Sequence, residues 1–249
     1  MKRLSVLVPC YNNENRIREC LESVRWADEL LVCDSFSTDR TLAIAAEYSA
    51  RIIQHEYINS AHQKNWAIPQ ASGEWILIVD SDERIPSELK NEILSQLEAP
   101  GDHVGFKIPR ANYVFGRRMR HGIYWPDYQL RLFKKDRGRY YPRHVHAGVE
   151  LDGPCGHLSH AIIHTNESDV KKLIQKYFIL HAQWEAQERL QREKPSVCKL
   201  VVYPPAIFIY FYVIKLGLLD GFAGFVTSAI WGMYYFFSYL YMFRWKENG

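Results

Sequence analysis

Glu74-Trp75-Ile76-Leu77-Ile78-Val79-Asp80-Ser81-Asp82-Glu83 is the stretch that decides the fold. Its run of apolar residues, rich in isoleucine, reads as a strand buried on both faces, as inside a parallel sheet. Acids then crowd the next four positions. Burying bare carboxylates is costly, so they belong at the C-terminal end of the strand, facing a crevice. In open α/β sheets that edge is where ligands bind. Two carboxylates on one turn suit a hard divalent cation whose other ligands are phosphate oxygens. The plain alternative is a polar loop after a strand, and the rest of the chain has to choose.

Upstream, Leu4 to Pro9 reads as a buried strand and Cys10 to Glu14 as a polar loop. Ile17, Cys20, Leu21 and Val24 then recur at helical spacing, with Asn12 or Asn13 as cap. Glu29 to Cys33 makes a second strand that ends in Asp34, and Ser37 or Thr38 caps an alanine-rich helix. Ile52-Ile53 is a short third strand and residues 63–71 a third helix. A fourth helix, capped by Ser87, turns Leu89, Ile93, Leu94 and Leu97 inward. Strands and helices alternate through short connectors, which predicts a doubly wound α/β layout with a mostly parallel sheet flanked by helices. The strands end in Asn12-Asn13, Asp34, His55-Glu56, and Asp80 with Asp82. Polar ends gathered on one edge suit a nucleotide. Neither G-x-G-x-x-G nor G-x-x-x-x-G-K occurs, so metal and side chains must hold its phosphates.

The chain has 249 residues, 47% hydrophobic and 24% charged, enough for one large or two small domains with a real core. A formal charge of +3 is too small to argue for nucleic acid. Arginines and lysines crowd the middle third, as an anion-facing or merely solvated surface. The odd, scattered set of cysteines fits reduced thiols in a cytosolic compartment rather than a disulfide framework. Met1-Lys2-Arg3 leads into a run that Pro9 and Asn12 end too soon for a secretory leader.

The motifs now combine. Ser5-Val6-Leu7-Val8-Pro9-Cys10-Tyr11-Asn12-Asn13-Glu14, Asp34-Ser35-x-Ser37-Thr38-Asp39, Gln63-Lys64-Asn65 and Asp80-Ser81-Asp82-Glu83 together resemble the family 2 glycosyltransferases of GT-A (Rossmann-like) fold. Tyr124-Trp125-Pro126-Asp127-Tyr128-Gln129-Leu130-Arg131-Leu132-Phe133 and Val145-His146 resemble the branch with lipopolysaccharide-core β-1,4-glucosyltransferases. The resemblance implies that Pro9, Tyr11 and Glu14 line the nucleotide pocket and that Asp34 bonds the base. It implies Lys64 near the base or diphosphate, Asp80 on the ribose or the metal, and Asp82 on the metal, Mg²⁺ or Mn²⁺. The expected donor is a UDP-sugar, glucose foremost, and the expected acceptor a lipid-linked saccharide at the cytoplasmic face of the bacterial inner membrane. Residues 1–100 would form the nucleotide-sugar half and 101–167 the acceptor half.

Transfer from a sugar nucleotide needs a stabilised leaving diphosphate, a deprotonated acceptor hydroxyl and the two held in line. Asp127 is the expected general base, following Pro126 among Tyr124, Trp125 and Tyr128, which suit stacking on a sugar. The plain reading of Asp127 is a turn cap. Gln129 and Arg131 alternate with Leu130 and Leu132 on one strand face; they contact diphosphate or acceptor, or form a solvated edge. The late histidines lack a paired Cys-x-x-Cys, which argues against structural zinc. His146 is the one expected to complete the divalent site. A nucleotidyltransferase is the first rival, although the loop Cys10 to Glu14 has no glycine. A non-catalytic saccharide-binding protein is the second.

Residues 168–195 read as an amphipathic helix, with Val170, Leu173, Ile174, Tyr177, Leu180 and Trp184 at helical spacing. Residues 196–249 read as a hydrophobic helical tail that associates with a membrane. Within it, Leu200 to Ile214 is uncharged but broken by Pro204-Pro205. Phe222 to Phe243 carries no charge and as a helix would cover about 30 Å. Basic residues on both flanks favour a re-entrant or interfacial arrangement over a single span.

Overall fold

The computed structural model describes residues 3–141, 148–165 and 173–247. They fall into two compact units, Met1–Arg110 with Tyr128–His164, and Ala111–Asp127 with Thr165–Gly249.

In the first unit, β1 (Leu4–Cys10), β2 (Glu29–Asp34), β3 (Arg51–Gln54) and β4 (Trp75–Ile78) lie parallel in the order β3-β2-β1-β4. The chain proceeds outward from β1 to β3, then returns to the other side of β1. The topological switch point therefore lies between β1 and β4, and it is outside the C-terminal ends of strands at such a point that open α/β sheets bind ligands. Beyond β4 the sheet becomes mixed. After β5 (Glu83–Arg84) and β6 (Gly105–Val114), a later strand, Tyr128–Lys134, inserts antiparallel between β4 and β6. The sheet is thus less parallel than the alternation of elements suggested, because this insertion comes from the far half of the chain.

Alternate residues of the strands feed opposite faces. Val6, Val8, Val32 and Leu77 join α1 (Ile17–Val24), α2 (Thr41–Glu47) and α4 (Ser87–Glu98) on one side. Leu7, Leu31, Ile76 and Ile78 join α3 (Ser60–Ala67) on the other. Both faces are dry, which is why the strands read as continuous apolar runs. On α4, Leu89, Ile93 and Leu97 are buried as expected, whereas Leu94 is exposed.

Helix starts differ from expectation. The caps assigned to Asn12 or Asn13, Ser37 or Thr38, and Ser87 are not the observed ones. α1 begins after Arg16, with the Asn13 carbonyl accepting from Arg16 and Ile17. α2 begins after Arg40, with an Asp39 oxygen accepting from Thr41 N–H at 2.9 Å. The asparagine and serine side chains are spent on joining loops. All five cysteines are free, with Cys10, Cys20 and Cys33 buried, Cys155 half-buried and Cys198 exposed.

In the second unit, Val114 and Tyr113 of β6 pair with β7 (Arg117–Arg118). We number the remaining strands of the first unit β8 (Tyr128–Lys134), β9 (Gly138–Tyr140), β10 (Val149–Leu151), β11 (Cys155–His157) and β12 (Ile162–Thr165). The C-terminal helices are α5 (Ala182–Leu190), α6 (Val197–Ile209) and α7 (Gly221–Glu247). Leu173 to Leu190 is helical, its Gln175–His181 turn being π-helical, while Val170 lies outside the described residues. Ala186, Tyr239 and Met242 form the core of the helical part, with Leu190, Leu200 and Tyr203 around them. Two sequence expectations are corrected here. Pro204 and Pro205 do not break the helix: both lie inside α6, at the cost of two backbone donors. Packing on α7 overrides propensity, since Gly232 of α7 leaves so little room that an added Cβ would lie 2.8 Å from the Pro204 carbonyl. The block 101–167 is not a unit either, because residues 111–127 pack with the C-terminal helices through Val114, Met119 and Ala223.

Candidate active site

Two loops at the edge of β1 and β2 are fastened to each other by side chains. Asn12 N–H donates to Ser37 Oγ at 2.9 Å, and Thr38 N–H returns a bond to Asn12 Oδ1 at 2.8 Å. Asn13 N–H donates to Thr41 Oγ1 at 2.7 Å and Glu14 N–H to Asp39 Oδ2 at 3.1 Å. The Glu14 carboxylate takes Arg40 N–H at 3.1 Å, so this expected pocket residue braces a loop. Asp34, fully buried, accepts from Ser37 N–H and from Gln54 Nε2, both at 3.0 Å. The Asp-Ser-x-Ser-Thr-Asp motif is therefore a latch between the two loops. Asn12 and Phe36 hold left-handed backbone, φ 49° and 60°. For a phenylalanine that is a strained conformation, of the kind that gathers at ligand clamps. Tyr11 and Phe36 are exposed beside the latch, and Pro9 is half-buried in β1.

At the end of β4 the acids are sorted by their partners. Asp80 Oδ1 lies 3.0 Å from Lys64 Nζ and Oδ2 lies 2.6 Å from Arg131 Nη2. Glu83, fully buried, accepts from the same Arg131 nitrogen at 2.9 Å and from Asp80 N–H at 3.0 Å, with Arg110 at 3.5 Å. Burial alone would raise the Asp80 carboxyl, but the Arg131 guanidinium and the Lys64 ammonium hold it well below the usual range. Burial likewise opposes the charges on Lys64 and Arg131, and Asp80 more than restores them. Three sequence-distant elements (α3, β4 and β8) thus bring Lys64, Asp80 and Arg131 together. Arg131 Nε is buried without a hydrogen-bond partner among the described residues.

Asp82 differs from Asp80. Its carboxylate is half-exposed, 3.4 Å from His164 Nε2 and 3.9 Å from Arg16 Nη1. β12 delivers that histidine by pairing antiparallel with β5, with His164 opposite Glu83. Sequence reasoning missed His164, because its place depends on a register between residues some eighty positions apart. His146, the expected partner, lies outside the described residues.

Lys64, Gln129 and Arg131 line one cleft of about 270 Å³, with Lys107, Tyr128 and Tyr140. Gln129 and Arg131 share a face of β8, as their alternation required. The Lys64 ammonium also lies 5.2 Å from the Tyr140 ring. Asp127 belongs to the second unit. Fully buried Asn112 donates its Nδ2 to Asp127 Oδ2 at 3.0 Å and to the Tyr124 carbonyl at 3.3 Å. That amide fixes the carboxylate's rotamer while leaving it half-exposed.

A model of the family described as glycosyl transferase family 2 matches residues 5–150. Over 243 residues the chain is 29% identical to the lipopolysaccharide core biosynthesis glycosyltransferase LpsC of Rhizobium meliloti (strain 1021), covering 92% of this chain and 88% of that protein. Among solved structures, the mannosyltransferase PcManGT from Pyrobaculum calidifontis, in complex with GDP-Man and Mn²⁺, aligns with a TM-score of 0.58 at 16% identity. That alignment covers 97% of this chain and 87% of the other. S. aureus TarS in complex with UDP-GlcNAc aligns with a TM-score of 0.53 at 17% identity, over 99% and 92% of the two chains. Both likenesses are of fold, and they agree with the GT-A architecture expected from the motifs.

Proposed function

The chain belongs to glycosyl transferase family 2 and is a glycosyltransferase, and from that premise we propose that it moves a hexose, glucose foremost, from a UDP-sugar to a lipid-linked saccharide of the lipopolysaccharide-core kind. The anomeric centre is inverted. One observation carries this reading: a half-exposed Asp82 beside His164, two residues after the Asp80 that with Glu83 pre-sets a lysine and an arginine. Lys64 and Arg131 offer fixed positive charge where charge develops on the leaving diphosphate. Their counter-ions keep both side chains ordered before substrate arrives. The orphaned Arg131 Nε is a buried donor of the kind that a ligand oxygen completes. Asp127, oriented by Asn112, takes the proton of the acceptor hydroxyl. Trp125 and Tyr128, both exposed, supply faces for a sugar ring.

A divalent cation, Mg²⁺ or Mn²⁺, would fit the Asp82 carboxylate, with the His164 imidazole 3.4 Å from it. Among the described residues no three histidine, cysteine, aspartate or glutamate side chains form a metal cluster. An ion held there would take its remaining ligands from diphosphate oxygens and water, as is usual for Mg²⁺. When bound, such an ion screens the diphosphate charge as a Lewis acid. The test is UDP release from UDP-glucose with an acceptor extract, with Mg²⁺ or Mn²⁺ and with a chelator. We expect the chelator and Asp82→Ala each to abolish release. Pyrophosphate as the product, or full turnover in Asp82→Ala, would overturn the reading.

The proposal extends to a membrane surface at the cytoplasmic face of the bacterial inner membrane. Val197–Ile214, α6 and its π-helical continuation, is long and apolar enough to cross a bilayer, and no residue of it is fully buried within the protein. Phe222 is 74% exposed. Lys199 in the first turn of the segment and Lys215 just beyond its end suit anionic headgroups. The full chain should float with anionic vesicles, and Val201→Glu with Val213→Glu should stay behind while still binding UDP. Equal flotation of the variant sinks the membrane reading, and a dimer in its place would show in light scattering.

A further inference from the structure

We infer that Asp220 is a positioning residue for the loop Ala111–Asp127, which makes the C-terminal helices part of the transfer machinery as well as an anchor. The inference rests on the reading of Asp127 as general base. Asp220 is 2% exposed and stands immediately before α7. Its carboxylate collects Arg120 N–H at 3.0 Å and 3.2 Å, His121 N–H at 2.8 Å and His121 Nδ1 at 3.2 Å. A buried carboxylate survives only where bonds of this kind repay its lost hydration. Bonds to a charged acceptor are also about twice as strong as neutral ones. Asp220 thus acts as a peg on which the loop is hung.

Two other ties run beside it. Arg117 Nη2 donates to the Leu219 carbonyl at 3.1 Å, and Gly122 N–H to the Lys215 carbonyl at 2.8 Å. Gly122 needs its left-handed φ of 69° to make that turn. From the peg, the restraint passes along the chain to Met119, whose N–H donates to the Asn112 carbonyl at 2.8 Å. Asn112 in turn holds Asp127 and the Tyr124 carbonyl. Every bond in this relay lies within one compact unit. The relay connects the helices that expose the apolar surface to the carboxylate assigned to the acceptor hydroxyl.

The test is Asp220→Asn in the full chain. The amide keeps the shape but turns one acceptor into a donor that faces backbone N–H groups. A displacement of about 1 Å at a reacting group costs on the order of 10² in rate. We expect kcat to fall by roughly that factor, with KM for the UDP-sugar and affinity for UDP unchanged. In the Asp127→Asn background the same change should cost nothing further, since both act through one carboxylate. His121→Ala, which removes only the Nδ1 bond, should lower kcat by a few-fold with donor KM again unchanged. This milder variant decides the matter if Asp220→Asn does not fold. Wild-type kcat in both variants, full additivity with Asp127→Asn, or a parallel loss of donor affinity would each overturn the inference. A silent Asp127→Asn, by contrast, overturns the base assignment whatever Asp220 does.

Discussion

Asp127→Asn should bind UDP-sugar as tightly as the wild type and transfer it more slowly by on the order of 10²–10⁴, the usual worth of a positioned general base. The substitution is nearly isosteric. It leaves the carbonyl half of the group facing Asn112 Nδ2, 3.0 Å away in the native protein. The loop should therefore keep its shape, and the deficit should sit in kcat. On the proposed reading donor affinity rests with groups on α3, on β8 and just beyond β4, none of which this change touches. Single-turnover transfer with saturating donor measures the first quantity, and UDP protection against heat measures the second. Transfer at the wild-type rate would mean that another group takes the proton.

Arg131→Met should destabilise the protein as well as disable it. One guanidinium nitrogen serves both Asp80 at 2.6 Å and Glu83 at 2.9 Å, and Glu83 is fully buried. Removing one member of a buried ion pair costs about 3–5 kcal/mol, because the other charge is left behind. Lys64 and Arg110 remain beside the two acids, which puts the expected loss at the lower end of that range. A urea titration with unchanged slope and a lower midpoint would register it. An unchanged midpoint would rule it out. The pH dependence has a definite sign. Asp80 is held below its unfolded pKa of about 3.9, so its pairing stabilises above that value and is lost as pH falls through the lower, folded value. The gap between wild type and variant should therefore narrow in acid below about pH 4.

The first hundred residues were the most legible, for a simple reason. β1, β2 and β4 are dry on both faces, so their apolar runs are unbroken and each ends where a polar loop must begin. Asp80 and Asp82 drew attention because they stand just beyond such a landmark, whereas Lys64 was singled out only by the family resemblance, and the fold brings it within 3.0 Å of Asp80. What was hidden depended on pairings between distant segments. His164 reaches Asp82 only through the β5 and β12 register. The loop Ala111–Asp127 looked like part of an acceptor half because nothing in its own sequence refers to Asp220, a hundred residues away. The helix caps were misassigned for a related reason. Asn12 and Ser37 have cap chemistry, but the neighbouring loop competes for their oxygens and wins. Pro204 and Pro205 looked like a stop, and the close approach of Gly232 keeps that segment helical.

The free cysteines have a practical consequence. Burial pushes the thiols of Cys10 and Cys20 far up and that of Cys33 to about 11, and Asp34 adds to the rise at Cys10 and Cys33. Alkylating reagents attack the thiolate, so these side chains are silent in the native protein. Burial raises the half-buried Cys155 as well. That leaves Cys198, exposed on the apolar helix α6, as a natural attachment point for a spectroscopic reporter. A nitroxide or fluorophore placed there would report whether α6 meets lipid, without any engineered cysteine.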